Sequence, residues 1–291
     1  MKSMRRNIAR TLAVIAVVCA VSVAQVPSEK PSRTGPAHST LKVSQPLPFQ
    51  PGESLVYEVT FSKLIFSGIV GEIKVSVSKP ADAASNLIEF KAEAVSRGLL
   101  PSLLGFKVKD TYTSMVNSID LGLDGFKRSI HEGKTHREQT TVINRATARV
   151  TYTERDLASP NSPPKVKEAA TPEWVQDVLS AIYFVRTQKL DEGGVIAIPV
   201  SDGGDLYNIE VVVGKREELK LDLGKFKTLQ LNAKVFGGRF LKRSGEMLVW
   251  MSDAPQRLIV RVRIKTASAT VTADLKRISS DGNGKASQPS R

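Results

Sequence analysis

Cysteine and histidine are scarce in this chain, which has 291 residues but only one cysteine and three histidines. Cys19 lies in the first 24 residues, so the remainder has no thiol for a disulfide, a metal site or a nucleophile. Neither Gly193-Gly194 nor Gly203-Gly204 continues into the Gly-Lys-Ser/Thr ending of a phosphate loop, and no Gly-x-Ser-x-Gly elbow occurs. We therefore expect no cofactor and no enzymatic activity. A hydrolase acting on envelope polymers is the less favoured alternative.

Long apolar runs are also scarce, and the clearest one covers residues 12–21. It is too short for a permanent membrane helix, follows a basic start, and precedes Ser22-Val23-Ala24, which places small residues at the −3 and −1 positions of a cleavage site. This pattern predicts a signal peptide over residues 1–24, cleaved before Gln25, and a periplasmic or secreted protein. Two alternatives remain open: an uncleaved anchor, and lipidation of Cys19, which the preceding Val18 disfavours.

Negative charge is in deficit, with 29 Asp and Glu against 42 Lys and Arg, a net charge of +13. Four positive charges lie in the predicted leader, so the processed chain carries +9. Such a charge favours acidic partners such as anionic lipid headgroups or envelope polymers. Nucleic acid is not an expected partner, because the basic residues are scattered and the protein is expected to be exported. Most of the basic residues are expected to lie on solvated strand faces.

Apolar and polar residues alternate with period two through much of the chain, as in residues 55–62, 69–78, 88–94, 209–211, 229–235 and 258–265. Strands with one buried and one wet face indicate antiparallel pairing. Turn residues are predicted at 123–125, 132–134, 202–204 and 252–255. The expected fold is mainly β: an antiparallel meander that forms a curved half-barrel or a barrel-like sheet.

One amphipathic helix interrupts this pattern and is predicted over residues 172–188. Thr171 resembles an N-cap, Pro172 suits the first helical position, and apolar residues then recur at helical spacing. We expect its apolar stripe to plug or cover the sheet. The flanking composition divides the chain into a flexible tether at 25–48, one domain at 49–278 and a disordered tail at 279–291.

Two connections between strands, residues 63–68 and 98–106, are unusually apolar for loops. They either fold over the sheet as core or border a mouth where an apolar ligand or a membrane surface is met. The candidate rim or mouth residues are Leu64, Phe66, Leu99, Leu100, Leu103, Leu104, Phe106 and Trp174.

His131 and His136 flank a predicted hairpin turn that would bring them together across two strands. Two histidines beside Lys134 and Arg137 make a weak metal constellation, since the cations repel a metal ion. We predict surface histidines and no metal site.

Four segments together resemble a known bacterial family, domain of unknown function 3108. Residues 49–59, FQPGESLVYEV, resemble its opening F-x-x-G-E-x-L-x-Y-x-V, and residues 68–72, GIVGE, suit its second strand. Residues 175–186, VQDVLSAIYFVR, resemble its D-x-L-S-A-x-Y-x-x-R helix, and residues 245–253, GEMLVWMSD, its G-x-L-x-V-W-L-S-D strand. The resemblance spans residues 48–277. Ala254-Pro255 departs from it, because members often carry another acidic residue and a longer turn there.

The resemblance implies an exported antiparallel β protein without an established activity, and it brings no catalytic residues. The polar and aromatic residues that match its motifs are Asp177, Ser180, Tyr183, Arg186, Trp250 and Asp253. Those on the helix either form a polar site or fix the helix against the sheet by hydrogen bonds.

The expected function is that of a cell-envelope protein that holds an apolar or lipid-like ligand in the concave face of its sheet. The alternative is an assembly module that binds an envelope protein partner through a sheet edge or the loop at 154–171. The oligomeric state is left open.

Overall fold

The computed structural model of the chain describes residues 46–64, 66–80, 86–99, 101, 107–236 and 244–280. The predicted signal peptide, residues 25–45 of the predicted tether and residues 281–291 of the predicted tail lie outside the described residues. The strands and the helix have these bounds: β1 Glu53–Lys63, β2 Phe66–Ser78, β3 Leu87–Ser96, β4 Lys109–Asn117, β5 Leu123–Glu132, β6 Thr135–Asn144, β7 Arg149–Asp156, β8 Lys165–Ala170, α1 Val178–Thr187, β9 Val195–Asp202, β10 Asp205–Leu221, β11 Gly224–Ala233, β12 Gly245–Ser252, β13 Ile259–Thr266 and β14 Thr270–Ser280.

All fourteen strands form one antiparallel sheet in the order β8-β7-β6-β5-β4-β3-β2-β1-β14-β13-β12-β11-β10-β9. Two meanders, β1–β8 and β9–β14, are joined where the first strand pairs with the last, for example Val59 with Ala273. The ladder does not close, since β8 and β9 are its edges. The mainly β, antiparallel meander expected from period-two alternation is confirmed.

An extended segment before α1 spans the gap between the two arms of the sheet. Leu123 at the start of β5 donates its backbone N–H to Val175 (3.0 Å). On the other side, Gln176 donates to Pro199 (2.9 Å) and accepts from Ser201 (2.8 Å), both on β9. Residues 175 and 176 therefore connect β5 to β9 where the ladder itself is open.

The predicted start of the helix at residue 172 is wrong, because α1 begins at Val178 with Asp177 as its N-cap. Residues 175 and 176 are extended instead, since their backbone groups bond β5 and β9. The carboxylate of Asp177 accepts from the N–H groups of Leu179 (2.7 Å) and Ser180 (3.1 Å). These are two of the N–H groups that a helix leaves unpaired at its start.

The turn predicted at residues 123–125 is also wrong, because Leu123 begins β5 with its side chain buried. The chain reverses earlier, at residues 118–121, where the Asp120 carboxylate accepts from the Gly122 N–H (2.9 Å). The turns at 132–134, 202–204 and 252–255 lie between strands as predicted. β14 includes Ser279 and Ser280 of the predicted tail, and Leu47 of the predicted tether packs against the core.

Side chains of α1 pack against strands of the sheet on both sides of the helix. Leu179 and Tyr183 join a buried cluster with residues of β2 to β7. Phe184 and Val185 join a second cluster with β9 to β13. The helix is thus a core element, and no helix within the described residues is long and apolar enough to span a membrane.

Candidate functional site

The tip of the β1–β2 hairpin carries Leu64, the most exposed large apolar side chain of the described residues. Leu64 is 94% exposed, Phe66 58% and Ile69 43%. Leu99, which follows β3, is 81% exposed. Together these four residues are named the rim patch below.

Backbone contacts hold the two parts of the rim patch together. Arg97 donates its N–H to the carbonyl of Val70 (3.0 Å), next to Ile69. Gly98 has a φ of +93°, and a Cβ at this position would lie 2.4 Å from the carbonyl oxygen of Ile69. Only glycine combines this backbone conformation with so close an approach. The chain before Leu99 is therefore fixed beside the hairpin.

The structure bears on the predicted rim residues in three ways. Leu64, Phe66 and Leu99 are exposed at one end of the sheet, as a rim requires. Trp174 lies elsewhere: its ring packs on Phe184 (centroids 4.7 Å apart), and its Nε1–H donates to the Asp120 carbonyl (2.9 Å). The remaining predicted rim residues, Leu100, Leu103, Leu104 and Phe106, lie outside the described residues.

The helix N-terminus is held by a buried carboxylate. Besides its two backbone bonds, Asp177 accepts from Ser114 Oγ on β4 (2.9 Å) and from Ser180 Oγ (2.9 Å). The Ser180 hydroxyl also accepts from the Asp177 N–H (2.9 Å), which completes a capping box. Burial raises the pKa of Asp177, while these hydrogen bonds to its oxygens act in the opposite direction. Asp177 thus fastens α1 to β4.

The other end of the helix is held by a buried arginine. Arg186, 1% exposed, donates from Nη1 and Nη2 to the two oxygens of Glu53 on β1 (2.6 and 2.8 Å). Its Nη2 also donates to the carbonyls of Pro48 (3.2 Å) and Gln256 (2.9 Å). The guanidinium lies 5.1 Å from the centroid of the Tyr183 ring. Burial lowers the pKa of Arg186, but bonding and attraction to Glu53 outweigh this and raise it.

Aromatic packing fills the space between these two anchors. The ring of Tyr183 stacks on Phe90 of β3 with centroids 3.9 Å apart, and the ring of Phe49 meets both edge-on. These three rings therefore pack together on the face of the sheet that contacts α1, the face on which a ligand was expected.

Two carboxyl groups share a site near the rim end of β4 and β5. Asp110 is buried and accepts from the Tyr112 hydroxyl (3.2 Å) and from the backbone N–H of His131 (2.8 Å). The pKa of Glu132 is raised to about 7, mainly by burial and in addition by the neighbouring Asp110 carboxylate. Burial also raises the pKa of Asp110. A proton shared by Asp110 and Glu132 avoids two negative charges close together in a buried site.

A buried ion pair joins the two arms of the sheet. Arg128 on β5 donates from Nη2 to Asp202 at the end of β9, and both side chains are buried. The guanidinium lies 4.8 Å from the Phe126 ring centroid, and its Nη1 donates to Gln139 (3.4 Å). Like the carboxyl pair, this contact was not anticipated from the sequence. Every second residue of β5 from Phe126 to Ile130 is buried, and Arg128 lies between these two in the alternation. This position is the signal in the sequence that would have revealed the contact.

The predicted hairpin pairs His131 with His136, with ring centroids 5.1 Å apart. Across the described ranges, no group of three or more His, Cys, Asp or Glu is placed to hold a metal ion.

A comparison with protein families finds a match to the model of Protein of unknown function (DUF3108) over residues 56–276. The chain belongs to this family. The resemblance identified from sequence motifs is thereby confirmed.

A solved structure similar to this DUF3108 chain is the beta-barrel-like protein of domain of unknown function DUF1849 from Brucella abortus. The TM-score is 0.50 at 9% sequence identity, and the match covers 78% of this chain and 96% of that one. At this identity the likeness concerns the fold alone. No curated protein matches the chain.

The residues of the DUF3108 motifs divide between two places. Asp177, Ser180, Tyr183 and Arg186 lie along α1, where they anchor and pack the helix as described above. Trp250 on β12 is buried beneath the guanidinium of Arg263, 4.7 Å from its ring centroid, and donates to Glu217. Asp253 lies in the β12–β13 turn and accepts from Arg216 Nε (3.1 Å).

Proposed function

We propose that this DUF3108 protein is an exported, non-catalytic envelope protein that binds an apolar surface through its rim patch. The observation that carries the proposal is the gathering of four apolar side chains at one end of the sheet. Leu64, Phe66 and Leu99 are more than half exposed, and Ile69 is 43% exposed. Soluble domains normally bury such residues, and a cluster of them is typical of an interaction surface.

The distribution of the other exposed apolar residues supports this choice of surface. Ile119, Val142, Val166 and Val195 are each at least half exposed, but they lie singly on a turn, on β6, on β8 and at the start of β9. Isolated exposed apolar residues are normal on a folded domain. They also supply a matched control for the rim patch.

Packing around α1 favours contact at the surface over a ligand held between the helix and the sheet. Tyr183 and Phe90 stack directly there, and both flanks of α1 are in buried clusters. Several buried polar groups bond other side chains of the interior: Arg128 pairs with Asp202, and the Tyr112 hydroxyl donates to Asp110. A binding role therefore agrees better with the site than catalysis.

Cell fractionation tests this function. We expect the wild-type protein to sediment with envelope membranes, and a Leu64→Ser, Phe66→Ser, Leu99→Ser variant to move to the soluble fraction. A control variant with Ile119→Ser, Val142→Ser and Val166→Ser should fractionate like the wild type. Unchanged sedimentation of a folded rim variant would refute the proposal.

Export is tested separately by the mass of the protein recovered from cells. Cleavage before Gln25 predicts a chain that lacks residues 1–24. A mass that includes a lipid on Cys19 would indicate lipidation instead, and the mass of the full sequence would indicate an uncleaved anchor. Recovery from the cytoplasm with an intact N-terminus would contradict export.

A further inference from the structure

We propose that the apolar surface met by the rim patch is a lipid bilayer with anionic headgroups. This inference rests on the proposed function, and it names the partner of that same surface. Its starting point is the combination of protruding apolar side chains and unbalanced positive charge.

Four basic residues lie in or next to the chain segments that carry the rim patch, namely Lys63, Arg97, Lys107 and Lys109. The carboxylates that follow these segments in the chain are Glu72 and the buried Asp110. Arg97 forms an ion pair with Glu72 (3.2 Å), which lies further along β2. Within the described part of the chain, Lys63, Lys107 and Lys109 form no ion pair. Their charge is therefore available to an anionic partner.

Backbone bonds place the lysines beside the apolar tip. Lys63 pairs across the hairpin with Phe66. Lys107 precedes Val108, which accepts from the Ser96 N–H (3.0 Å) and donates to Ser96 Oγ (3.1 Å). Ser96 is followed by Arg97, whose N–H donates to the carbonyl of Val70 on β2. Cationic side chains thus flank the residues that stand furthest out.

This arrangement matches the two layers of a membrane interface. Apolar tips gain free energy by entering the acyl boundary, while lysine side chains reach the headgroups and the phosphate charge. Leu64 has a φ of +51° at its turn and exposes nearly its whole side chain, so it projects from the surface. A projecting tip suits a deformable lipid layer, whereas protein interfaces centre on residues seated in pockets.

Vesicle binding of the processed protein, as recovered from cells, tests the inference. The probes are vesicles of pure phosphatidylcholine and vesicles in which a quarter of the lipid is phosphatidylglycerol, in a series of salt concentrations. We expect binding to the anionic vesicles that weakens as salt rises. Leu64→Ser, Phe66→Ser, Leu99→Ser should weaken it at least about tenfold, given the apolar area removed. The control Ile119→Ser, Val142→Ser, Val166→Ser should change it less than about twofold.

Charge is tested by a second pair of variants. Lys63→Gln, Lys107→Gln, Lys109→Gln should weaken binding to anionic vesicles by roughly fivefold per lysine that reaches the surface. Lys127→Gln, Lys215→Gln, Lys220→Gln removes the same charge from strands β5 and β10 and should have little effect. Thermal unfolding of each variant, followed by circular dichroism, verifies that it folds.

The outcomes separate this inference from the function on which it rests. Equal binding to both vesicle types overturns the anionic headgroups. Absence of vesicle binding, or unchanged binding of the rim variant, overturns the lipid partner; if the rim variant then still leaves the envelope fraction in cells, the proposed function stands and the surface belongs to a protein. If the rim variant stays with the envelope in cells, both proposals fail.

Discussion

Changing Glu53 to Gln would leave the guanidinium of Arg186 buried without its counter-ion. The two residues share two hydrogen bonds of 2.6 and 2.8 Å, and the Arg186 side chain is 1% exposed. Leaving one member of a buried ion pair uncompensated typically costs about 3–5 kcal/mol. The carbonyls of Pro48 and Gln256 continue to accept from Arg186, so we expect the lower end, about 3 kcal/mol. Urea unfolding followed by circular dichroism measures this free energy.

An exposed pair supplies the control for this experiment. Arg149 and Glu168 lie 2.9 Å apart with both side chains about half exposed, so Glu168→Gln should cost less than about 1 kcal/mol. Adding Arg186→Met to Glu53→Gln should recover part of the loss, because the unpaired charge is then removed. The reasoning is refuted if Glu53→Gln costs no more than Glu168→Gln, or if the double variant is less stable than Glu53→Gln alone.

Two further predictions concern the rim end of the sheet. Burial and the Asp110 carboxylate raise the pKa of Glu132 from 4.5 to about 7. The folded state is therefore favoured while Glu132 is protonated: this stability is fully present below pH 4.5 and is lost as the pH rises through 7. Glu132→Gln should therefore raise the free energy of unfolding at pH 8 by about 1 kcal/mol, allowing for solvent screening, and have no such benefit at pH 4. A benefit at pH 4 alone would contradict this. Gly98→Ala should lower the unfolding midpoint several degrees more than Gly133→Ala, because both have positive φ but only Gly98 faces the Ile69 carbonyl at 2.4 Å. Equal shifts would show that the contact relaxes freely.

Alternation along the sequence predicts the class of fold because each strand has one buried and one solvated face. In β1, Leu55, Tyr57, Val59 and Phe61 are buried, as their spacing requires. The order of strands follows from contacts between residues far apart, such as Val59 with Ala273. Such contacts have no local signal in a single sequence.

The start of α1 shows how tertiary contacts decide between two local signals. Thr171-Pro172 and Asp177 with Ser180 are both chemically suitable helix starts. The bonds of residues 175 and 176 to β5 and β9 hold the intervening chain extended, so the second start is used. Periodicity alone favoured the longer helix.

The buried polar residues were missed for a different reason. Asp110 and Arg128 lie on the inward phase of their strands, Asp202 lies at a predicted turn, and none of the three was expected to be buried. A charge on the inward phase of a strand signals a buried partner, but the sequence does not identify that partner. The apolar loops were easier to recognise, because exposed Leu64, Phe66 and Leu99 depart from the usual polarity of loops.

The pairing of β1 with β14 sets an order of events during folding. The two strands are separated by more than 200 residues, as in the hydrogen bond from the Thr60 hydroxyl to the carbonyl of Thr272. The arms β1–β8 and β9–β14 can each assemble from neighbouring hairpins, whereas the junction waits until the last strand has left the ribosome. Contacts of this range fold slowly, since closing a long loop precedes any gain from pairing. Either arm can therefore form its own hairpins early, but the fourteen-stranded sheet is completed only after the whole chain has been synthesised.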